Sequence, residues 1–223
     1  MFAHMSHAVD HARLRVLVVG AGGQGRIAAD IVLAGREHSG MTPVGFVDDA
    51  ADLAGHTVMG LPVLGTLEQV PLLRHDGIVV AIGDNLVRER LTHAFVAAGE
   101  RIVAVRHPFS SIAADVAIGD GAMISAGAVI TPGASIGAGV IVNTKASIDH
   151  DSRIEPFAHA APGSVIGAGV TIGARVLVGM GAVIMAGCRV GADSVIGAGA
   201  LVHRDIPENV VAVGVPAQVR RAR

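Results

Sequence analysis

Isoleucine or valine occupies every sixth residue from Ile112 to Val202, at fifteen of sixteen positions, with Ala160 the exception. No amphipathic helix has a period of six, and a strand alternates with a period of two. Four residues after each of these positions stands a small or β-branched residue, such as Ala122, Ala128, Ala146, Ser164 or Cys188, with Ile206 the one large member. Glycine fills many of the places between. This is the hexapeptide repeat of a left-handed parallel β-helix, in which three hexads form one triangular coil. Coils then stack at about 4.8 Å, the spacing of paired strands. The first and fifth residues of each hexad face into a narrow prism, where only such side chains fit. Cys188 holds a fifth position and reads as core filler rather than nucleophile.

Composition agrees with thin stacked layers. Of 223 residues, 51% are hydrophobic and 30 are glycine, yet the only aromatic residues are five phenylalanines. No apolar run approaches the roughly 20 residues of a membrane span. A net charge of −2 argues against nucleic-acid binding, and the single cysteine excludes an intramolecular disulfide framework or a Cys-rich zinc site. The N-terminus has no apolar core of a signal peptide, so a cytoplasmic location is expected. His4, His7 and His11 lie in an opening segment, 1–12, that reads as a disordered end.

Residues 13–106 follow another grammar. Leu14–Val19 reads as a buried parallel strand, followed by a glycine-rich turn and a helix from about Gly25 to Arg36. Strands are expected at Val44–Val47 and Gly77–Ile82, a helix near Asn85–Ala98, and a closing strand at Ile102–Val105. Alternating strands and helices make an α/β half-Rossmann domain with a parallel sheet. His107-Pro108 opens the β-helix domain, 107–207, and 208–223 forms a C-terminal cap. Repeats of this kind need such caps. Flat aliphatic faces grouped about a threefold axis would make a homotrimer.

Two places depart from what a bland fold requires. Between Val142 and His159 the repeat loses its glycine pattern and gathers Asn143, Lys145, Asp149, His150, Asp151, Glu155 and His159. A neutral imidazole can take a proton from an attacking amine or hydroxyl, and a carboxylate on its other nitrogen fixes the tautomer. His150 lies between Asp149 and Asp151, of which at most one can serve in this way. Pro132 and Ala168, one coil before and after, leave room for a groove. His159 is half a coil away, so the two imidazoles would meet only across a subunit interface. The second departure is Gly20-Ala21-Gly22-Gly23-Gln24-Gly25, a G-x-G-x-x-G turn between strand and helix that suits a pyrophosphate. Asp48 and Asp49 end the next strand, where a carboxylate can reach a ribose or base. NAD is disfavoured because the second mononucleotide half is missing.

These motifs, with Val47-Asp48-Asp49, Ala81-Ile82-Gly83-Asp84-Asn85 and Arg88, His107-Pro108 and Gly214-Val215-Pro216-Ala217, resemble the bacterial nucleotide-sugar acetyltransferases. That family includes the sialic acid O-acetyltransferase type and the UDP-4-amino-sugar N-acetyltransferases of bacillosamine biosynthesis. The resemblance implies a homotrimer with active sites at its subunit interfaces, using acetyl-CoA and no metal. It implies His150 as general base with Asp151 raising its basicity. His159 would contact the thioester, and Gly179, Met180 and Ala198 would lie along the CoA arm. Gly22, Gly23, Gln24, Asp48, Asp49 and Gly83 would hold a nucleotide-linked sugar, with UDP the expected carrier, and Asn143 would sit near the acceptor. Gln24 stands where the family commonly has histidine. Rival readings are O-acetylation of a sugar hydroxyl, transfer from acyl carrier protein, a three-histidine zinc enzyme, an NAD oxidoreductase and a non-catalytic scaffold.

Overall fold

The computed structural model describes residues 13–223, so His4, His7 and His11 lie outside the described residues. The N-terminal half is a five-stranded sheet in the order β3-β4-β2-β1-β5. Its strands are β1 (Leu14–Val19), β2 (Met41–Val47), β3 (Thr57–Val58), β4 (Leu61–Gly65) and β5 (Gly77–Val80). β1 pairs in parallel with both β2 and β5, and its Val16–Val19 run is fully buried, as a central parallel strand demands. The helices are α1 (Gly23–Ala34), α2 (Arg36–Ser39) and α3 (Asn85–Ala97). The β3–β4 hairpin is an addition to the expected elements. Its two strands are too short to leave an alternating pattern in the sequence.

The expected strand at Ile102–Val105 divides. Ile102 makes one bridge to Ile78 of β5, while Val105–Arg106 already pairs with Met123–Ile124 of the repeat region. The two halves therefore share a core, in which Val103, Val105, Met123 and Ile141 pack with Val16, Phe46 and Val79.

From Ser111 the chain forms two-residue strands that pair in parallel with the strand eighteen residues on. Ile112, Ile130, Ile148, Ile166, Ile184 and Val202 stack in one register. The result is a left-handed parallel β-helix with faces of six, five and eight strands. Both inward hexad positions are buried from Ala122 to Ile206, and Cys188 is 7% exposed with its thiol pushed up by desolvation. From Gly121 to Gly199 the fourth residue of each hexad turns the corner with positive φ. Glycine fills most of these sites, but Lys145, Asp151, Phe157, Arg175 and Asp193 do so without being glycine.

The three faces differ outside. The first face presents Val129, Val165 and Val183, each 36–43% exposed. The second presents Ser135, Arg153, Thr171 and Arg189. The third is covered at Met123 and Ile141 by the N-terminal half. At the far end Val210–Val213 extends the third face and pairs with Gln218–Ala222.

Candidate active site

His150 stands at the corner between the first and second faces, after the strand Ser147–Ile148 and before Arg153–Ile154. The left-handed turn at Asp151 (φ +60°) brings its carboxylate beside the ring, and Asp151 Oδ2 lies 2.8 Å from His150 Nδ1. Asp149 points elsewhere. Its Oδ1 accepts the His150 backbone N–H at 2.8 Å and the Thr131 hydroxyl at 3.2 Å, so it shapes the turn. The Asp151 hydrogen bond, with Asp149 nearby, raises the His150 pKa above its ordinary 6.5. A ring held at Nδ1 by a carboxylate carries its proton there, which leaves Nε2 as the free base. His150 is 58% exposed, and its Nε2 has no partner among the described residues.

His159 opens a strand of the third face, and Asn143 and Met180 lie at the corner between the third and first faces. The first face thus separates His150 from His159 within one chain. Asn143 is 4% exposed, and its Oδ1 accepts the Thr144 N–H at 2.8 Å. That fixes the amide, so Asn143 Nδ2 donates to His159 Nε2 at 3.1 Å. The His159 proton consequently sits on Nδ1, which is buried and has no aligned partner among the described residues. The Gly83 backbone lies close to the ring. It opposes, without reversing, a depression of the His159 pKa to about 4, caused first by burial and then by the Arg88 cation. His159 is neutral at physiological pH.

Met180 and Ala198 stack in the same corner column, where Gly199 N–H donates to Met180 O at 2.8 Å. Met180 is 61% exposed. Gly179 has a packing reason of its own, since a Cβ there would sit 2.6 Å from the Ala198 nitrogen of the next coil.

The glycine turn separates into two kinds of residue. A Cβ on Gly25 would fall 1.9 Å from Gly20 O, and one on Gly20 would fall 2.7 Å from Ile82 Cδ1. The fold needs both. A Cβ on Gly22, Gly23 or Gly83 would meet nothing within 4 Å. Gly22 caps α1 without any side-chain hydrogen bond, and the first backbone bond within the helix is from Arg26 to Gly22. The N–H groups of Gly23 and Gln24 are left for something outside the helix, where the helix dipole favours an anion. Gln24 Nε2 reaches Met123 Sδ at 3.8 Å, which places it between the two halves. Asp48 spends both oxygens on the backbone, accepting from Ala21 N at 2.7 Å and Ala50 N at 2.9 Å. Asp49 uses Oδ1 on Leu67 N and keeps Oδ2 free. Of the two carboxylates, Asp49 is the one that keeps an oxygen without a hydrogen-bond partner among the described residues.

Arg88 and Asn85 hold the halves together, a role their sequence positions did not disclose. Arg88 is completely buried, and all its donors are used: Nε on Gly139 O, Nη1 on Ile82 O and Gly83 O, Nη2 on Asn85 Oδ1 and Phe157 O. Asn85 Nδ2 donates to Arg175 O and Val176 O.

Comparison with known proteins follows the same division. Residues 15–95 match the family described as PglD N-terminal domain, and residues 169–204 match bacterial transferase hexapeptide repeats. A His-to-Asn variant of perosamine N-acetyltransferase from Caulobacter crescentus, in complex with CoA and GDP-perosamine, is 35% identical with a TM-score of 0.85. The match covers 92% of this chain and 96% of that one. The chain belongs to the nucleotide-sugar acetyltransferase family. The acetyltransferase domain of PglB from Neisseria gonorrhoeae, also solved with acetyl coenzyme A, is 32% identical over 93% of this chain and 100% of its own, with a TM-score of 0.87. WeeI from Acinetobacter baumannii is 27% identical over 92% and 99%, with a TM-score of 0.82. A comparison with curated proteins gave no match. This family member is an enzyme, an acyltransferase. Among the described residues there is no cluster of three or more His, Cys, Asp or Glu that could hold a metal, and no helix long and apolar enough to cross a membrane.

Proposed function

We propose that this acetyltransferase moves the acetyl group of acetyl-CoA to the amine of a nucleotide-linked amino-sugar, by direct attack with His150 as general base. The observation that carries the reading is the 2.8 Å contact between Asp151 Oδ2 and His150 Nδ1, which leaves Nε2 basic and open to solvent. The amine nitrogen attacks the thioester carbonyl, a C–N bond forms and the C–S bond breaks. His150 Nε2 takes the proton lost by the amine and returns it to the departing thiolate, so the products are the N-acetyl sugar and free CoA.

The acceptor's diphosphate would lie on the Gly22–Gln24 turn, with Gly83 on the same rim and the free oxygen of Asp49 toward ribose or base. Gln24 offers a neutral donor where the family commonly has an imidazole. The acetyl-CoA arm would follow the exposed corner of Met180 and Ala198 past Gly179 toward His159, with Asn143 between the donor and acceptor.

The first face supports assembly into a homotrimer. Its Val129, Val165 and Val183 lie in one column, broken by Ser147, and are uncovered among the described residues, whereas the second face presents Ser135, Arg153, Thr171 and Arg189 and the third is covered at Met123 and Ile141. Packing that face against a neighbour would bring the His150 corner of one subunit toward His159 of the next.

Amine rather than hydroxyl acceptors are favoured because perosamine N-acetyltransferase, the more identical relative, acts on an amino-sugar nucleotide. The test is a screen of GDP-, UDP- and dTDP-linked amino-sugars with acetyl-CoA, read as released thiol. Turnover of none of them, or turnover only with acyl carrier protein thioesters, overturns the assignment.

A further inference from the structure

The N-terminal half docks on the β-helix through a column of outward-facing carbonyls. At the corner between the second and third faces, Gly139, Phe157 and Arg175 all have positive φ, and the carbonyl of each accepts a hydrogen bond from α3. The start of α3 reads this column. Arg88 takes Gly139 O at 2.8 Å and Phe157 O at 2.7 Å, and Asn85 takes Arg175 O at 2.9 Å. The other side of the guanidinium faces back into its own half, to Ile82 O at 2.9 Å and Gly83 O at 3.3 Å. One planar group therefore ties the Gly83 turn to a coil residue only two positions before His159.

We infer that Arg88 is a positioning residue for the transfer: it sets the distance between the Gly83 rim of the nucleotide-sugar site and the His159 face of the acetyl-CoA site. This rests on the reading of those two sites given under the proposed function. The fork geometry matters because a lysine has one ammonium and cannot span carbonyls on both sides. Among the described residues no carboxylate hydrogen-bonds to Arg88. Asp84 and Glu89 act on it only at longer range, and burial pushes its pKa down to about 10, so it stays charged at neutral pH. Among the described residues its charge is also the one cation that acts on His159.

The experiment uses the full chain as Arg88→Lys and Arg88→Met. With acetyl-CoA and GDP-perosamine as substrates, kcat of Arg88→Lys should fall about tenfold or more, because misplacement of reactants by an ångström is that costly. The dissociation constants of CoA and GDP, each measured alone, should stay within about twofold, since each half-site is intact. An unchanged kcat in folded Arg88→Lys, or a loss explained by weaker binding of CoA or GDP, overturns the inference. NMR titration of the His159 ring gives a readout independent of turnover. Its midpoint should stay low in Arg88→Lys and rise in Arg88→Met. A midpoint unmoved in Arg88→Met removes Arg88 from the neighbourhood of His159 and overturns the inference too. If the wild type acetylates no amino-sugar, the proposed function fails, and the titration still decides whether Arg88 governs His159. If Arg88→Met does not fold, the kcat and binding data of Arg88→Lys decide.

Discussion

Alanine placed at Gly23 and at Gly25 should have opposite effects on stability. Gly25 leaves no room, since the new Cβ would lie 1.9 Å from Gly20 O and 2.8 Å from Gly20 C, both backbone atoms that cannot swing aside. Relieving such a clash means moving the strand-to-helix turn, at a cost of about 3 kcal/mol or more. Gly23 is the first helical residue of α1, and a Cβ there meets nothing within 4 Å. Replacing glycine by alanine in a helix gains roughly 0.5–1 kcal/mol. For a chain of this size 1 kcal/mol corresponds to about 2–4 °C in Tm. Gly25→Ala should therefore melt at least about 6 °C lower, and Gly23→Ala should melt slightly higher. The functional effect runs the other way. The Gly23 methyl would stand over the free N–H groups at the start of α1, and losing one phosphate contact there costs about 1–3 kcal/mol, or roughly 10- to 100-fold in KM for the nucleotide sugar. KM for acetyl-CoA should not change. Thermal melts with steady-state kinetics on both substrates check this. An unchanged nucleotide-sugar KM in Gly23→Ala would refute the placement of the diphosphate on this turn, and a neutral Gly25→Ala would refute the packing argument.

Other expectations are as definite. Because Asp151 raises the His150 pKa above 6.5, the rate should fall with acidity through a midpoint above that value, and Asp151→Asn should move the midpoint down. A pH–rate profile of kcat/KM reads both. His159 carries the opposite shift. Its unfolded ring protonates near 6.5 while the folded ring resists until about 4, so stability is fullest above 6.5 and is lost as pH falls across that window, by roughly 3 kcal/mol at its end. His159→Asn should flatten that part of a denaturant-midpoint against pH curve. Val165→Asp on the first face should dissociate the proposed trimer, measured by light scattering, without unfolding the coil.

The repeat made the coil legible residue by residue, since position in a hexad alone decides which side chain faces the prism. The same regularity marked the candidate site: Lys145, Asp151 and Phe157 take left-handed corners that glycine fills more cheaply. The signal was incomplete, because Arg175 and Asp193 also hold such corners, and there they pair with each other and with Glu89 at the junction of the halves. Which aspartate serves His150 was not readable, because it depends on the positive φ of Asp151, a backbone property. Arg88 was legible as a motif member, but its partners are carbonyls, and backbone acceptors 51 and 69 residues away leave no pattern of residue types. The β3–β4 hairpin was missed for want of length, and the strand at Ile102–Val105 was split because its second part is recruited by the coil.

Released thiol from acetyl-CoA, measured with an amino-sugar nucleotide for the wild type and for His150→Ala, tests the account most directly. The wild type should turn over, and His150→Ala should be slower by about 10²–10⁴-fold while keeping its assembly and its affinity for CoA. Equal rates in the two proteins would contradict it.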